Sequence, residues 1–316
     1  MLHLTRALSG LSPLQQGLAI ALATALLSGV SVYINATAVR ALPDPFVFAG
    51  AKNLVVAVML AATVGFSGSR RELPALTGRR WGQLALLGLV GGSVPFLLFF
   101  YGLSLSSAPS AAFIHKTLFL WVALLAIPLL GERFGRAQLM ATAALAGGNL
   151  VLLGWPARWA VTPAELCTLA ATLLWAFEAV VARRVLAGIS PSLGALGRMG
   201  FGGFAVFAFL GATGRMDVVA ALTPLQWGWI GVTAVLLFGY VLGYYHALKL
   251  APASSVTAIL VAGSVVTAGL YAVVDARSYG LVELLGLGLV AAAAAVMVWV
   301  APRMALGAPW LKGGGA

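Results

Sequence analysis

The stretch from Tyr101 to Glu132 reads YGLSLSSAPSAAFIHKTLFLWVALLAIPLLGE, and the chain returns to a similar phrase from Tyr244 to Asp275, YYHALKLAPASSVTAILVAGSVVTAGLYAVVD. At a constant offset of 143 residues, Tyr101 falls on Tyr244, Ala108-Pro109 on Ala251-Pro252, and Glu132 on Asp275. Each copy is an apolar segment opened by Ala-Pro and closed by an acid. Proline is favoured at the first turn of a helix, where the missing N–H has no partner to lose. The two segments therefore read as equivalent helices of a duplicated chain.

Composition says where such helices live. Of the 316 residues, 61% are hydrophobic and 9% charged, against about 25% charged in a soluble domain. A surface so short of charge belongs in a lipid bilayer. The formal charge of +11 does not point to nucleic acid, because the bases are scattered through short gaps between apolar runs and form no stripe that tracks a phosphate backbone. The single cysteine, Cys167, has no second cysteine to pair with inside the chain. Arg6 ahead of Leu18 to Val32 has the outline of a secretion signal, but the apolar stretch is longer than the roughly 7–15 residues of such a segment. It reads as a retained first helix.

A spanning helix needs about 20 mostly apolar residues. Charges, prolines and glycines divide the chain into ten such segments, approximately 14–36, 45–66, 81–104, 108–130, 135–154, 164–186, 192–212, 224–247, 252–273 and 281–301. The short gaps suit antiparallel neighbours. Cytoplasmic loops retain Lys and Arg. The side on which both ends of the chain fall holds Arg6, Arg70, Arg71, Arg79, Arg80, Arg133, Arg136, Arg183, Arg184, Lys249, Arg303 and Lys312, twelve bases against Arg40, Arg158, Arg215 and Arg277 on the other. Both termini are therefore expected in the cytoplasm, and the membrane is expected to be the bacterial inner membrane.

The echo extends beyond the opening pair. Leu27-Ser28 with Ser31 aligns at an offset of 147 with Leu174-Trp175 and Glu178, and Pro45 precedes Lys52 by the same seven residues that separate Pro191 from Arg198. Five helices in each copy force the two copies to insert upside down relative to each other, an architecture common among secondary transporters, with the substrate near the midplane. The expected fold is an all-α integral membrane protein of ten transmembrane helices in two inverted five-helix repeats, 1–155 and 156–316.

A Trp in the first helix of a half (Trp175), a Pro-x6-Arg in its second (Pro191 to Arg198), an Ala-Pro opening its fourth (Ala251-Pro252) and a Gly-Glu closing it (Gly131-Glu132) resemble the EamA-type branch of the drug/metabolite transporter superfamily. The resemblance covers nearly the whole chain. It implies a ten-helix carrier that exports small metabolites, with bacterial exporters of aromatic amino acids standing nearest. The first half departs from the pattern, with Ser28 in place of the Trp and Lys52 in place of the Arg.

Ionisable groups inside a span are expensive and mark function. Lys52 lies seven residues past Pro45, and His115 and Lys116 lie six and seven past Pro109, which puts all three roughly 10 Å below one surface at 1.5 Å per residue. Glu178 and Arg198 fall at a similar depth from the opposite surface, within reach of an ion pair. In one reading Lys52 and His115 donate to a substrate carboxylate while Glu178 meets an ammonium or a proton. In the other, the lysines snorkel along apolar walls and Glu178 and Arg198 form a clasp at the moving interface. His115 and Lys116 point about 100° apart on one helix, so one of them faces away from any shared cavity.

The first helix aligns Thr24, Ser28, Ser31 and Asn35 on one face, and its mate aligns Thr168, Thr172, Trp175 and Glu178. Such faces line a cavity or glue helices together. Phe96, Phe99, Phe100 and Tyr101 on the third helix, and Phe238, Tyr240, Tyr244 and Tyr245 on the eighth, stack a flat ligand or form an interfacial belt. Pro95 should kink the third helix and free a carbonyl for a neighbour. The candidate lining of the substrate cavity is Ser31, Asn35, Lys52, Phe99, His115, Trp175, Glu178 and Arg198.

The sequence carries no phosphate-binding G-x-x-x-x-G-K-[ST] loop, no metal-ligand spacing and no Ser-His-Asp set, and no cofactor is expected. The expected function is secondary or facilitated export of small neutral or zwitterionic metabolites, above all aromatic or other apolar amino acids, by alternating access. The alternatives are a carrier of anions such as sugar phosphates or nucleotide sugars, and a membrane-embedded enzyme or scaffold. The expected partners are a small-molecule substrate and the lipid bilayer, with the chain acting as a monomer or homodimer.

Overall fold

The computed structural model describes residues 10–105, 111, 114–153 and 162–305, with backbone alone at 103, 104, 153 and 301–305. The Ala108-Pro109 pair, the 155/156 division and Arg6, Arg158 and Lys312 lie outside the described residues.

Among the described residues the chain forms ten long helical segments and no strand. These are α1 (Pro13–Ala38), α2 (Pro45–Phe66), α3 (Gly78–Leu87 continuing through Gly88–Ser93 into Val94–Leu105), α4 (described over Ile114–Leu130), α5 (Arg136–Leu153), α6 (Pro163–Val185), α7 (Pro191–Ala212), α8 (Pro224–Leu250), α9 (Ala253–Leu260 and Gly263–Val274) and α10 (Leu281–Ala305). Eight of them are long and apolar enough to cross a bilayer. Large side chains such as Phe66, 93% exposed, and Phe204, 76% exposed, face outward, which is the surface that lipid, not water, covers.

One local device starts half of these helices. Ser12-Pro13, Asp44-Pro45, Thr162-Pro163, Ser190-Pro191 and Thr223-Pro224 each place a polar N-cap before a proline. The side chains of Ser12, Asp44 and Thr223 accept from backbone N–H groups of their own first turns, which satisfies donors that lipid could not. The proline then fixes the first helical φ.

Close contacts fix the helix directions. Glycines let α1 run antiparallel to α8, from Gly17 against Leu250 and Ala251 to Leu27 against Gly239. The mates of that pair, α6 and α3, do the same from Gly102 against Ala164 and Thr168 to Gly91 against Glu178. In both crossings a threonine hydroxyl fills the place of the glycine's missing side chain, Thr24 at Gly243 and Thr168 at Gly102. α2 lies on α7, α4 on α9 and α5 on α10, so each of these helices packs against its own repeat mate. The packing is thus unchanged when the halves are exchanged, as two inverted five-helix repeats require.

The fourth helix of each half is interrupted, which the hydropathy pattern does not reveal. In α4 the Thr117 and Leu120 amides reach only three residues back, to Ile114 and Thr117. In α9 the amides of Val261, Ala262, Ser264 and Val265 do likewise. The two tightened turns sit at equivalent positions of the repeat, so the irregularity belongs to the architecture.

Candidate functional site

The eight residues singled out above fall in three groups. The first lies on α1 and α2. Asn35 Nδ2 donates to Ser31, at 2.7 Å to the carbonyl and 3.0 Å to the hydroxyl, which turns Asn35 Oδ1 toward Lys52 Nζ at 3.0 Å. The ammonium sits 4.4 Å from the centre of the Phe48 ring, and Lys52 is 6% exposed. No carboxylate lies within ion-pair distance of Lys52 or Lys116 among the described residues. Lys52 therefore has a neutral acceptor and an aromatic face, and no counter-ion.

The second group is aromatic and joins the halves. His115 packs 4.9 Å from Trp175 and 5.3 Å from Phe99, ring centre to ring centre, and Phe96 meets Trp175 at 5.3 Å. Three of these rings come from the first half and Trp175 from the second. Pro95 supplies the reason for the Trp175 position. Pro95 has no N–H and follows a wide turn in which the Val94 amide reaches back to the Leu89 carbonyl, and where the helix leaves that turn the Gly91 carbonyl accepts from Trp175 Nε1 at 3.0 Å. The neighbouring Gly92 carbonyl accepts from Asn53 Nδ2 at 3.1 Å. The expected freed carbonyl thus exists, inside the wider turn Gly88–Ser93, and a residue from each half grips that turn.

The third group belongs to the second half and abuts the same turn. Glu178 Oε2 lies 3.6 Å from Arg198 Nη1, and Glu178 Oε1 accepts from Tyr245 Oη at 2.5 Å. Arg198 also lies 5.9 Å from the Tyr244 ring centre, and Tyr240 stacks on Tyr244. A side chain at Gly91 would strike Glu178, and one at Gly92 would strike the Arg198 backbone, so the turn of α3 seats directly on the pair. With both carboxylate oxygens engaged and Glu178 1% exposed, this arrangement suits the clasp reading better than an ammonium site.

Three polar atoms in or beside these groups have no protein partner, Asn53 Oδ1, His115 Nδ1 and Arg198 Nε. They leave an acceptor, an imidazole nitrogen and a guanidinium donor for a ligand or water. The sequence reading missed Asn53, although a second polar residue beside Lys52 in an apolar helix was the available signal. It also took Tyr245 as a ring only, whereas its hydroxyl is what holds Glu178.

The pattern that defines the EamA-like transporter family matches this chain twice, over residues 15–154 and 162–299. The chain belongs to that family, and the two matches are its two repeats. Over 101 residues it is 31% identical to a protein of Sinorhizobium sp described as an uncharacterized transporter in the cobO 3' region, an alignment that covers 32% of this chain and 71% of that protein. One solved crystal structure superposes with a TM-score of 0.73 at 20% identity, covering 92% of this chain and 99% of the other, a likeness of fold.

Proposed function

We propose that the chain is a secondary carrier of the bacterial inner membrane, with both termini cytoplasmic, that exports small zwitterionic metabolites bearing an apolar or aromatic side chain, amino acids foremost. The carrying observation is the ring cluster of Phe96, Phe99, His115 and Trp175, formed by both halves at a freed helical turn. Rings contributed by both halves give a flat apolar group a surface whose shape changes as the halves rock. Asn53 Oδ1 and His115 Nδ1 stand beside it for the polar end of the substrate. Proteoliposomes loaded with labelled tryptophan, phenylalanine, tyrosine and leucine test this directly. Efflux and counterflow of at least one are expected, and movement of other metabolites alone would remove the amino-acid assignment.

A second reading draws on Lys52 and Lys116, two cations within the membrane-spanning helices with no acid beside them. A substrate of net negative charge would neutralise them. Lys52→Gln separates the readings. A zwitterion carrier should show a higher KM with kcat largely retained, and an anion carrier should lose transport.

A further inference from the structure

α9 cannot cap itself. Its N-cap is Pro252, whose ring has no oxygen to offer, and its first residues Ala253, Ser254 and Ser255 are at most 3% exposed. Their N–H groups would be buried without acceptors, which the interior of a protein does not tolerate. For Ala253 and Ser254 the acceptors come from the other half. Glu132 Oε1 accepts from the Ala253 amide at 2.7 Å, and Oε2 accepts from the Ser254 amide at 3.3 Å and from the Ser254 hydroxyl. Gln138 Nε2 donates to Ser255 Oγ at 3.3 Å beside them.

The first half is shaped to deliver this acid. α4 ends at Gly131 with φ +67°, and the Glu132 amide bonds back to the Ala126 carbonyl at 3.2 Å. That closure turns the chain sharply and takes a left-handed residue that only glycine supplies without strain. Arg184 of α6 binds the Leu129 carbonyl at the same end. A second acid of the first half acts alike on this face: Glu72 Oε2 accepts from the Ser190 amide, at the start of α7, at 2.8 Å. Two helices of the second half that begin on the Arg-rich face thus hand N-terminal donors to carboxylates of the first.

We propose that Glu132 is the latch of the transport cycle on the Arg-rich face, holding that face shut by capping α9 in trans and releasing it when the halves part. The latch rests on the alternating-access reading above and is independent of what the carrier moves. Its two end states both satisfy the backbone. Closed, the carboxylate takes the amides of α9. Open, water entering from that face takes them. A carboxylate suits this role better than an amide, because both of its oxygens accept and the N-terminus of a helix favours negative charge.

The test uses the full chain in lipid nanodiscs, with Cys167→Ser and a reporter Thr257→Cys. Thr257 is 3% exposed and lies one turn inside α9 from Ala253. The measured quantity is the rate of modification by a hydrophilic maleimide. Glu132→Gln is expected to speed labelling roughly tenfold, the shift in population that loss of an ordinary cap produces. Ser254→Ala, which removes one donor and keeps the backbone, should give a smaller rise. Labelling at the parent rate in either variant, with a monodisperse folded protein, would overturn the latch and leave Glu132 a static cap. If the transport screen finds no amino-acid substrate while labelling still responds to Glu132, the latch stands and the substrate assignment falls.

Discussion

The two copies of the repeated phrase, Tyr101 to Glu132 and Tyr244 to Asp275, finish differently. In the first half the left-handed residue comes before the acid, Gly131 and then Glu132. In the second it comes after, Asp275 and then Ala276 at φ +51°. A two-residue shift of the left-handed position re-aims the carboxylate. Glu132, 8% exposed, turns inward to take three donors at the start of α9. Asp275, its aligned mate, stays exposed and accepts one bond, from Tyr33 at 3.2 Å. The opposite face is also joined by Arg215 to Asp44 at 3.0 Å, with both side chains partly open to water, where such pairs contribute about 0–1 kcal/mol. A duplication that builds symmetric helices has thus left asymmetric closures, the more buried of them on the Arg-rich face.

The largest effect expected from breaking this asymmetry is that of Glu132→Ala. It strands two amides and a hydroxyl, so a loss of about 2–4 kcal/mol is expected, seen as a clear fall in thermal unfolding temperature in detergent. Asp275→Ala, at an exposed carboxylate, should stay within about 0.5 kcal/mol. Equal losses at the two positions would erase the difference between the faces.

Exchanging the left-handed residues sharpens the comparison at a smaller scale. Gly131→Ala puts a Cβ into a backbone conformation that disfavours it and should cost about 1–2 kcal/mol. Ala276→Gly relieves the same strain but adds freedom to the unfolded chain, for a net gain of about 0.5 kcal/mol. Unfolding midpoints of the two single variants, moving in opposite directions, check both statements. A Gly131→Ala protein that unfolds like the parent would mean that the turn does not need its glycine and that Glu132 is not aimed by it.

How much of this was written in the sequence differs from feature to feature. The helices and their duplication were legible because hydropathy, Pro starts and helical spacing are local signals. The meeting of Glu178 and Arg198 was legible too, because both depths follow from counting residues along straight helices. Pro95 announced a freed carbonyl but neither its position nor its recipient, since the approach of Trp175 to Gly91 depends on how α3 and α6 cross. The break in α9 was not legible: Leu260, Val261 and Ala262 contain no helix breaker. It lies where Gly263 meets the backbone of Ala25 and Gly29 on α1, a contact made only when the halves pack. Glu132 was read as the end of a helix. Its role as a cap emerges only when Pro252, more than a hundred residues away, is seen to lack an oxygen of its own.

The smallest expected effect is that of Tyr33→Phe, and its smallness is the point. The phenol ring packs edge-on against Tyr271 with centroids 5.0 Å apart, a contact that phenylalanine keeps. Only the hydroxyl bond to Asp275 is removed, and both groups are open to water that replaces it. The unfolding midpoint is therefore expected to stay where it is. Labelling of the Thr257→Cys reporter should also stay slow, because loosening the opposite face does nothing to free α9 from Glu132. If Tyr33→Phe instead accelerated that labelling as Glu132→Gln is expected to, the two faces would be closed by one shared constraint, and the protection of α9 could no longer be traced to the buried carboxylate alone.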